Sequence, residues 1–137
     1  MRTPEFLWKQ LLVRGDAQIG IQELLAVILA IWSLDEWVRD SLTFLWEDNQ
    51  GVLHSLLKGG CAAWDANLCI AQVWLQFARV RAAFAGYRVE SKANPADLPT
   101  RDDLSLIKAY DMEWVEPKLP SFLNDIWACA DWEKLCV

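Results

Sequence analysis

Hydrophobic and polar residues recur at helical spacing over the first part of the chain. Thr3-Pro4 can begin a short amphipathic helix, because a first turn tolerates proline, and Gly15 is expected to end it. Asp16 can cap a longer helix, in which the run Leu24 to Trp32 is apolar throughout. A helix that is apolar on nearly every side is buried, so this one is predicted to pack against a sheet.

The pattern changes to that of a strand after this helix. Leu42 to Trp46 is a short β-branched and aromatic run that predicts a buried strand, and the polar stretch Glu47-Asp48-Asn49 follows it. Residues at the carboxyl end of a strand in an α/β sheet commonly bind ligands, so this edge is a candidate site. Gln50 to Leu57 is predicted to form the next helix, which Lys58-Gly59-Gly60 ends.

Helical spacing returns in the middle of the chain and predicts a further long helix from about Asp65 to Phe84. Gly86 is expected to break this helix. Tyr87 to Glu90 then predicts a second short strand, and Ser91 to Arg101 a loop that opens a helical turn after Pro95. Helices that alternate with strands in this order indicate the α/β class.

Composition divides the chain into two parts. Residues 1–101 carry the predicted helices and strands and are expected to form one domain, since 137 residues are too few for two comfortable cores. Residues 102–137 form an acidic, tryptophan-rich tail with no firm periodicity. The chain has nine tryptophans, whose large rings need cover, so the tail is expected to pack loosely or to bind a neighbour.

Net charge bears on the possible ligands. The chain has a formal net charge of -6, which argues against nucleic-acid binding by a broad basic surface. A nuclease that holds its substrate through carboxylate-bound cations can still be acidic. Tight nonspecific binding of nucleic acid is therefore not expected, and metal-dependent chemistry stays open.

Cysteine spacing and charge distribution bear on metal type and location. The four cysteines lack C-x-x-C pairs and the only histidine is His54, so a structural zinc site is not expected. Charged residues interrupt the opening positions, which argues against a secretory signal. Glu23 and Asp35 leave too short an apolar run between them for a membrane span. These features predict an intracellular protein with free thiols, in cytoplasm or nucleus, without a membrane partner.

Three carboxylates stand out by their positions. Glu23 lies within the apolar helix, Asp48 follows the first strand, and Asp97 lies in the proline-flanked loop after the second strand. A buried unpaired charge costs several kcal/mol, and a shared divalent cation would remove that cost. Carboxylate oxygens from separate elements suit Mg²⁺ or Mn²⁺, and two such ions can activate water in phosphodiester cleavage.

Each carboxylate also has an ordinary structural interpretation, and the residues alone do not decide between that interpretation and metal binding. Glu23 can be solvated at a helix edge or paired with a basic side chain. Asp48 and Asn49 can form a strand-end turn or a helix cap, and Asp97 can cap a helical turn.

Three segments of the chain resemble a known family. They read QIGIQELLAV at 18–27, FLWEDNQGVL at 44–53 with Lys58-Gly59 after it, and ESKANPADLPTR at 90–101. Together they resemble the ribonuclease H-like domain of retroelement reverse transcriptases, particularly those of tyrosine-recombinase-type elements. The resemblance covers roughly residues 4–101, and its last segment is the most specific.

The resemblance implies a fold, a site and a substrate. The fold would be the ribonuclease H-like α/β fold, with a small central sheet flanked by long helices. Glu23, Asp48 and Asp97 would be three of four carboxylate ligands of Mg²⁺ or Mn²⁺, and the substrate would be the RNA strand of an RNA–DNA hybrid. Predicted substrate-contacting residues, with solvated loop charges as the alternative for the two cations, are Asn49, Lys92 and Arg101.

The fourth ligand of the family is missing from this sequence. In the family an aspartate on the first strand of a three-strand meander precedes the helix that carries the glutamate. Only residues 1–20 precede it here, and Asp16 lies too near the helix start. We therefore expect a domain without its first strands, weaker cation binding, and an exposed sheet edge that the tail or a second chain covers. Two hypotheses follow: a hybrid-cleaving nuclease, or a non-catalytic remnant that acts as an interaction or structural module.

Overall fold

The computed structural model describes residues 19–121, which contain six α-helices and two β-strands. The elements are α1 (Ile19–Ser33), α2 (Asp35–Val38), β1 (Leu42–Glu47), α3 (Gln50–Lys58), α4 (Trp64–Arg79), β2 (Ala83–Arg88), α5 (Asp97–Thr100) and α6 (Ser105–Ala109). The predicted α/β class is confirmed. The helix predicted before Gly15 and the end of the tryptophan-rich tail lie outside the described residues.

The two strands form a parallel pair. Leu42 lies opposite Ala83 and Glu47 lies opposite Arg88, so both strands end at the same edge. Parallel neighbours need a crossover connection, and α3 and α4 provide it. This edge is where side chains from separate elements can meet.

The hydrophobic core lies between the helices on one side of the strand pair. α1 packs along α4, and α3 contacts both strands. Leu56, Ile70 and Val73 are almost fully buried, as are Leu24 and Ile28 of α1. Part of the apolar run of α1 faces this core, whereas Ala26 and Ala30 are exposed. The main contacts of α1 are with α4, and not with the strands against which it was predicted to pack.

The helix boundaries follow from local backbone conformation. Gly59 has a left-handed φ of 79° and ends α3, as the sequence predicts. The predicted end of the next helix at Phe84 is wrong, because α4 ends at Arg79 and Phe84 lies in β2. Arg81 has a φ of 55°, and its guanidinium donates two hydrogen bonds of 2.6 Å to the Asp40 carboxylate. That bidentate contact holds the turn between α4 and β2.

Gly86 has a packing role and does not break a helix. It lies within β2, which begins earlier than the predicted strand Tyr87 to Glu90. A Cβ atom at this position would lie 2.7 Å from Leu53 Cδ1 and 3.2 Å from Leu57 Cδ2. Glycine therefore allows α3 to approach the strand closely.

The strand pair has two different faces. Thr43, Leu45 and Glu47 point toward the helices, together with Phe84, which stacks on Phe77. The opposite face, here called the outer face, consists of Leu42, Phe44, Trp46, Ala83, Ala85 and Tyr87. The aromatic side chains of the outer face are exposed in the described residues.

The last described segment returns to α1. A 3₁₀ turn (Ser91–Ala93), α5 and α6 follow β2, and residues 112–120 contain no helix or strand. The Lys118 backbone N–H donates a hydrogen bond of 2.8 Å to Ser33 Oγ. Of the helices in residues 19–121, none has the length and apolar character needed to cross a bilayer.

Candidate metal centre

Three carboxylates meet at the edge where β1 ends. Glu47 is the last residue of β1, Asp48 follows it, and Glu23 comes from the first half of α1. One oxygen of each carboxylate lies within 4.8 Å of the others. Glu47 is buried, and Glu23 and Asp48 are half-buried. This group, here called the carboxylate cluster, could bind a metal ion.

Strand alternation places Glu47 in the cluster. Side chains of a strand point alternately to its two faces, so Glu47 shares the helix-facing side with Thr43 and Leu45. The sequence-based candidates did not include Glu47. The alternation of strand side chains could have identified it, because Glu47 is the first residue after Trp46 and its side chain must point toward the helices.

Asn49 connects the cluster to the start of α3. Its Nδ2 donates a hydrogen bond of 2.6 Å to Glu23 Oε2, and its backbone N–H donates one of 3.0 Å to Glu47 Oε1. Its Oδ1 accepts from the N–H groups of Gly51 and Val52 at 3.0 and 3.2 Å. The helix cap and the orientation of Glu23 therefore depend on one side chain.

This connection yields a stability prediction. Asn49→Ala should lower the free energy of unfolding by about 1–2 kcal/mol, because α3 loses its cap and Glu23 loses its donor. Asn49→Ser is the matched variant, since serine caps helices but is too short to reach Glu23. Urea unfolding should show most of the lost stability restored by serine. Equal losses in the two variants would show that the Glu23 contact matters more than the cap.

Burial and mutual repulsion raise the pKa of two cluster carboxyls. Desolvation raises the pKa of Glu23, the Asn49 hydrogen bond partly opposes this, and the charges of Asp48 and Asp97 raise it further. Desolvation also raises the pKa of Glu47, together with the charges of Glu23 and Asp48 and a hydrogen bond with Asp48. The cluster thus carries more negative charge than its surroundings compensate, which a bound cation would relieve.

A pH dependence follows for the metal-free protein. A carboxyl whose pKa is raised by folding stabilises the fold below its usual pKa of 4.5, and this contribution is lost as the pH rises through the raised value. In EDTA, the free energy of unfolding should therefore fall as the pH rises from 4.5 toward neutrality. Glu47→Gln should flatten this fall in urea titrations at several pH values. Glu36→Gln, at an exposed glutamate of α2, should leave it as steep as in the unsubstituted chain.

Asp97 lies near the cluster without joining its tight group. It is the first residue of α5 and is half-buried. Its charge raises the pKa of Glu23, so the two carboxylates are close enough to interact. Asp97 also forms an ion pair of 3.5 Å with the exposed Arg101. The structure therefore brings Glu23 and Asp48 together and leaves Asp97 at the margin.

The three predicted substrate contacts occupy different positions. Asn49 lies at the cluster, where its side-chain atoms already make the hydrogen bonds described above. Lys92 is exposed in the 3₁₀ turn between β2 and Asp97. Arg101 is exposed beside Asp97. The two cations therefore lie in the segments that lead to and from Asp97.

Known proteins provide no match that would identify the carboxylate cluster. No family model, no curated protein and no solved structure matches the chain. The chemistry of the carboxylate cluster therefore has to be inferred from its own residues.

Proposed function

We propose that this chain is a metal-dependent phosphodiesterase of the ribonuclease H type. Glu23, Glu47 and Asp48 would hold Mg²⁺ or Mn²⁺, and the substrate would be the RNA strand of an RNA–DNA hybrid. The observation that carries the proposal is the carboxylate cluster, whose three oxygens lie within 4.8 Å of one another at the carboxyl end of β1.

The donor set fits a hard divalent cation. All three side chains offer oxygen, the ligand atom that Mg²⁺ and Mn²⁺ prefer, and none offers nitrogen or sulfur. The raised pKa values of Glu23 and Glu47 reflect burial and the repulsion of neighbouring carboxylates. A divalent cation would remove that repulsion, so the same features that destabilise the metal-free site favour metal binding.

Individual residues would contribute in different ways. When bound, the cation would activate water and neutralise charge on a phosphodiester. Asn49 would orient Glu23 through the hydrogen bond of 2.6 Å that its amide donates. Asp97 would add negative charge beside Glu23, and it would also hold Arg101 through their ion pair. Lys92 and Arg101 are exposed cations that can contact phosphate.

The identity of the substrate rests on the resemblance of the three segments to ribonuclease H-like domains. The net charge of -6 fits a protein that engages nucleic acid through bound cations more than through a basic surface. Binding should therefore be weak without divalent metal.

One observation favours the second hypothesis, a non-catalytic module. The cluster has internal partners, since Asn49 donates to both Glu23 and Glu47. Such a network can hold the end of β1 against α1 without a cation. In that case the carboxylates would have a structural role only.

Cleavage assays with a labelled substrate separate the two hypotheses. The full chain should cut the RNA strand of an RNA–DNA hybrid in Mn²⁺ or Mg²⁺ and not in EDTA, and should leave RNA and DNA duplexes intact. Thermal unfolding with and without each cation provides the parallel measurement of binding. A folded chain that is stabilised by neither cation and cuts no hybrid would exclude the nuclease. That result would favour the non-catalytic module, whereas stabilisation without cleavage would show a metal centre that does not act on this substrate.

A further inference from the structure

The carboxylate cluster is balanced by hydrogen-bond donors and not by a neighbouring cation within residues 19–121. Burial and the charges of Asp48 and Asp97 raise the pKa of Glu23, and the group that lowers it is the Asn49 amide. At Glu47 the group that lowers the pKa is the backbone N–H of Asn49. A cation near this site would therefore change its electrostatics strongly.

Asp97 lies beside the cluster and outside its tight group. The chain after β2 passes the end of β1, where the Val89 backbone N–H donates a hydrogen bond of 3.1 Å to the Glu47 carbonyl oxygen. The 3₁₀ turn (Ser91–Ala93) then leads to Asp97, the first residue of α5. The Asp97 charge acts on Glu23, but the Asp97 carboxylate is not one of the three whose oxygens lie within 4.8 Å.

Asp97 has a cationic partner of its own in Arg101. One guanidinium nitrogen, Arg101 Nη2, lies 3.5 Å from Asp97 Oδ2. Residues four apart lie on the same side of a helical turn, so the backbone of α5 keeps the two side chains together. The side chain of Arg101 is 73% exposed and that of Asp97 is 31% exposed. Solvent weakens an ion pair at such a surface position, so this pair can open at little cost.

A metal ion in the cluster and Arg101 would compete for Asp97. A divalent cation attracts a nearby carboxylate more strongly than a guanidinium does, because it carries twice the charge. If Asp97 turns to the cation, its ion pair with Arg101 must break. If the pair stays closed, the positive charge of Arg101 remains close to the cation and repels it. In both cases Arg101 lowers the affinity of the site for metal.

We propose that Arg101 competes with the metal ion for the Asp97 carboxylate and keeps the metal affinity of the carboxylate cluster low while no substrate is bound. This inference rests on the proposed function and extends it, since Arg101 acts on the metal site as well as on the substrate. A phosphodiester that binds Arg101 frees Asp97 for the cation. Metal and substrate phosphate therefore strengthen each other's binding.

Isothermal titration calorimetry of the full chain with Mn²⁺ alone tests the competition. Arg101→Gln should raise the Mn²⁺ affinity about two- to fivefold, the range expected for loss of an exposed ion pair. The gain should vanish in the Asp97→Asn background, where Arg101 has no carboxylate to withhold. Lys108→Gln removes the same charge from an exposed position on α6. It should raise the affinity by less, and by the same factor in both backgrounds.

Three results would overturn the proposal and leave the metal centre standing. Arg101→Gln could give no gain in affinity, a gain equal to that of Lys108→Gln, or a gain that persists without Asp97. Failure of the unsubstituted chain and of every variant to bind Mn²⁺ would instead remove the metal centre, and the competition with it. Circular dichroism checks that each variant is folded, as expected for substitutions at exposed side chains.

Dimethyl phosphate, a phosphodiester anion without a base, tests the coupling between metal and substrate. It should raise the Mn²⁺ affinity of the unsubstituted chain relative to sodium chloride at the same ionic strength. It should not raise the Mn²⁺ affinity of Arg101→Gln. An equal gain in both proteins would show that the phosphodiester acts on the metal directly, and no gain in either would show that Arg101 does not link the two ligands. Both results would contradict the coupling.

Discussion

Asp48→Asn should abolish cleavage of an RNA–DNA hybrid and remove most of the stabilisation that Mn²⁺ gives the protein. The substitution keeps the shape of the side chain but removes one negative charge from a set of three oxygens within 4.8 Å. A cation at a hundredfold excess over its Kd stabilises a folded protein by about 2.7 kcal/mol, and loss of a carboxylate ligand should reduce this to a small fraction. Thermal unfolding in Mn²⁺ and in EDTA, run beside the cleavage assay, measures both effects.

Asp111→Asn is the matched control for this prediction. Asp111 is exposed and is not among the charges that act on Glu23 or Glu47. The substitution Asp111→Asn removes the same formal charge as Asp48→Asn, so a general effect of net charge would appear in both variants. Unchanged Mn²⁺ stabilisation in Asp48→Asn would contradict the metal centre, whether or not the chain is a nuclease.

Ile70→Ala should destabilise the protein by about 2–5 kcal/mol, the usual cost of removing a large aliphatic side chain from a core. Ile70 is 1% exposed and lies in the core where α4 packs along α1. The loss combines the transfer of apolar surface to water with the cavity left between the two helices. A domain of this size has a total stability of about 5–15 kcal/mol, so the variant should unfold at much lower urea concentration.

Leu75→Ala on the same helix provides the comparison. Leu75 is 60% exposed, so its truncation removes little buried surface and should change stability by less than about 0.5 kcal/mol. Equal midpoints for the two variants in urea would show that α4 does not pack on α1 as described.

The site and the fold are coupled at the end of β1. The residues that follow this strand both start α3 and place the carboxylates, with Asn49 as the common element. Changes that disturb the start of α3 should therefore also change metal affinity. This coupling explains why the candidate chemistry lies at the junction between the strand and the helix and not within either element.

Several elements follow from the sequence alone because they depend on neighbouring residues. The run from Leu42 to Trp46 forms a strand, and Gly59 ends α3 with a left-handed backbone that glycine adopts readily. The apolar run of α1 is helical and faces the core. Glu23 and Asp48, two of the three carboxylates singled out by position in the sequence, lie together at the end of β1. Their ribonuclease H-like interpretation stays a prediction.

Other features were decided only by tertiary contacts. The segment from Val80 to Gly86 contains three alanines, which favour helix, and the Arg81–Asp40 contact and pairing with β1 make it a turn and a strand. Glu47 joins the cluster because tertiary packing brings Glu23 of α1 to the end of β1, where Glu47 points inward. Local patterns decide which residues form helices and strands. Distances between side chains on different elements depend on packing, which no single segment contains.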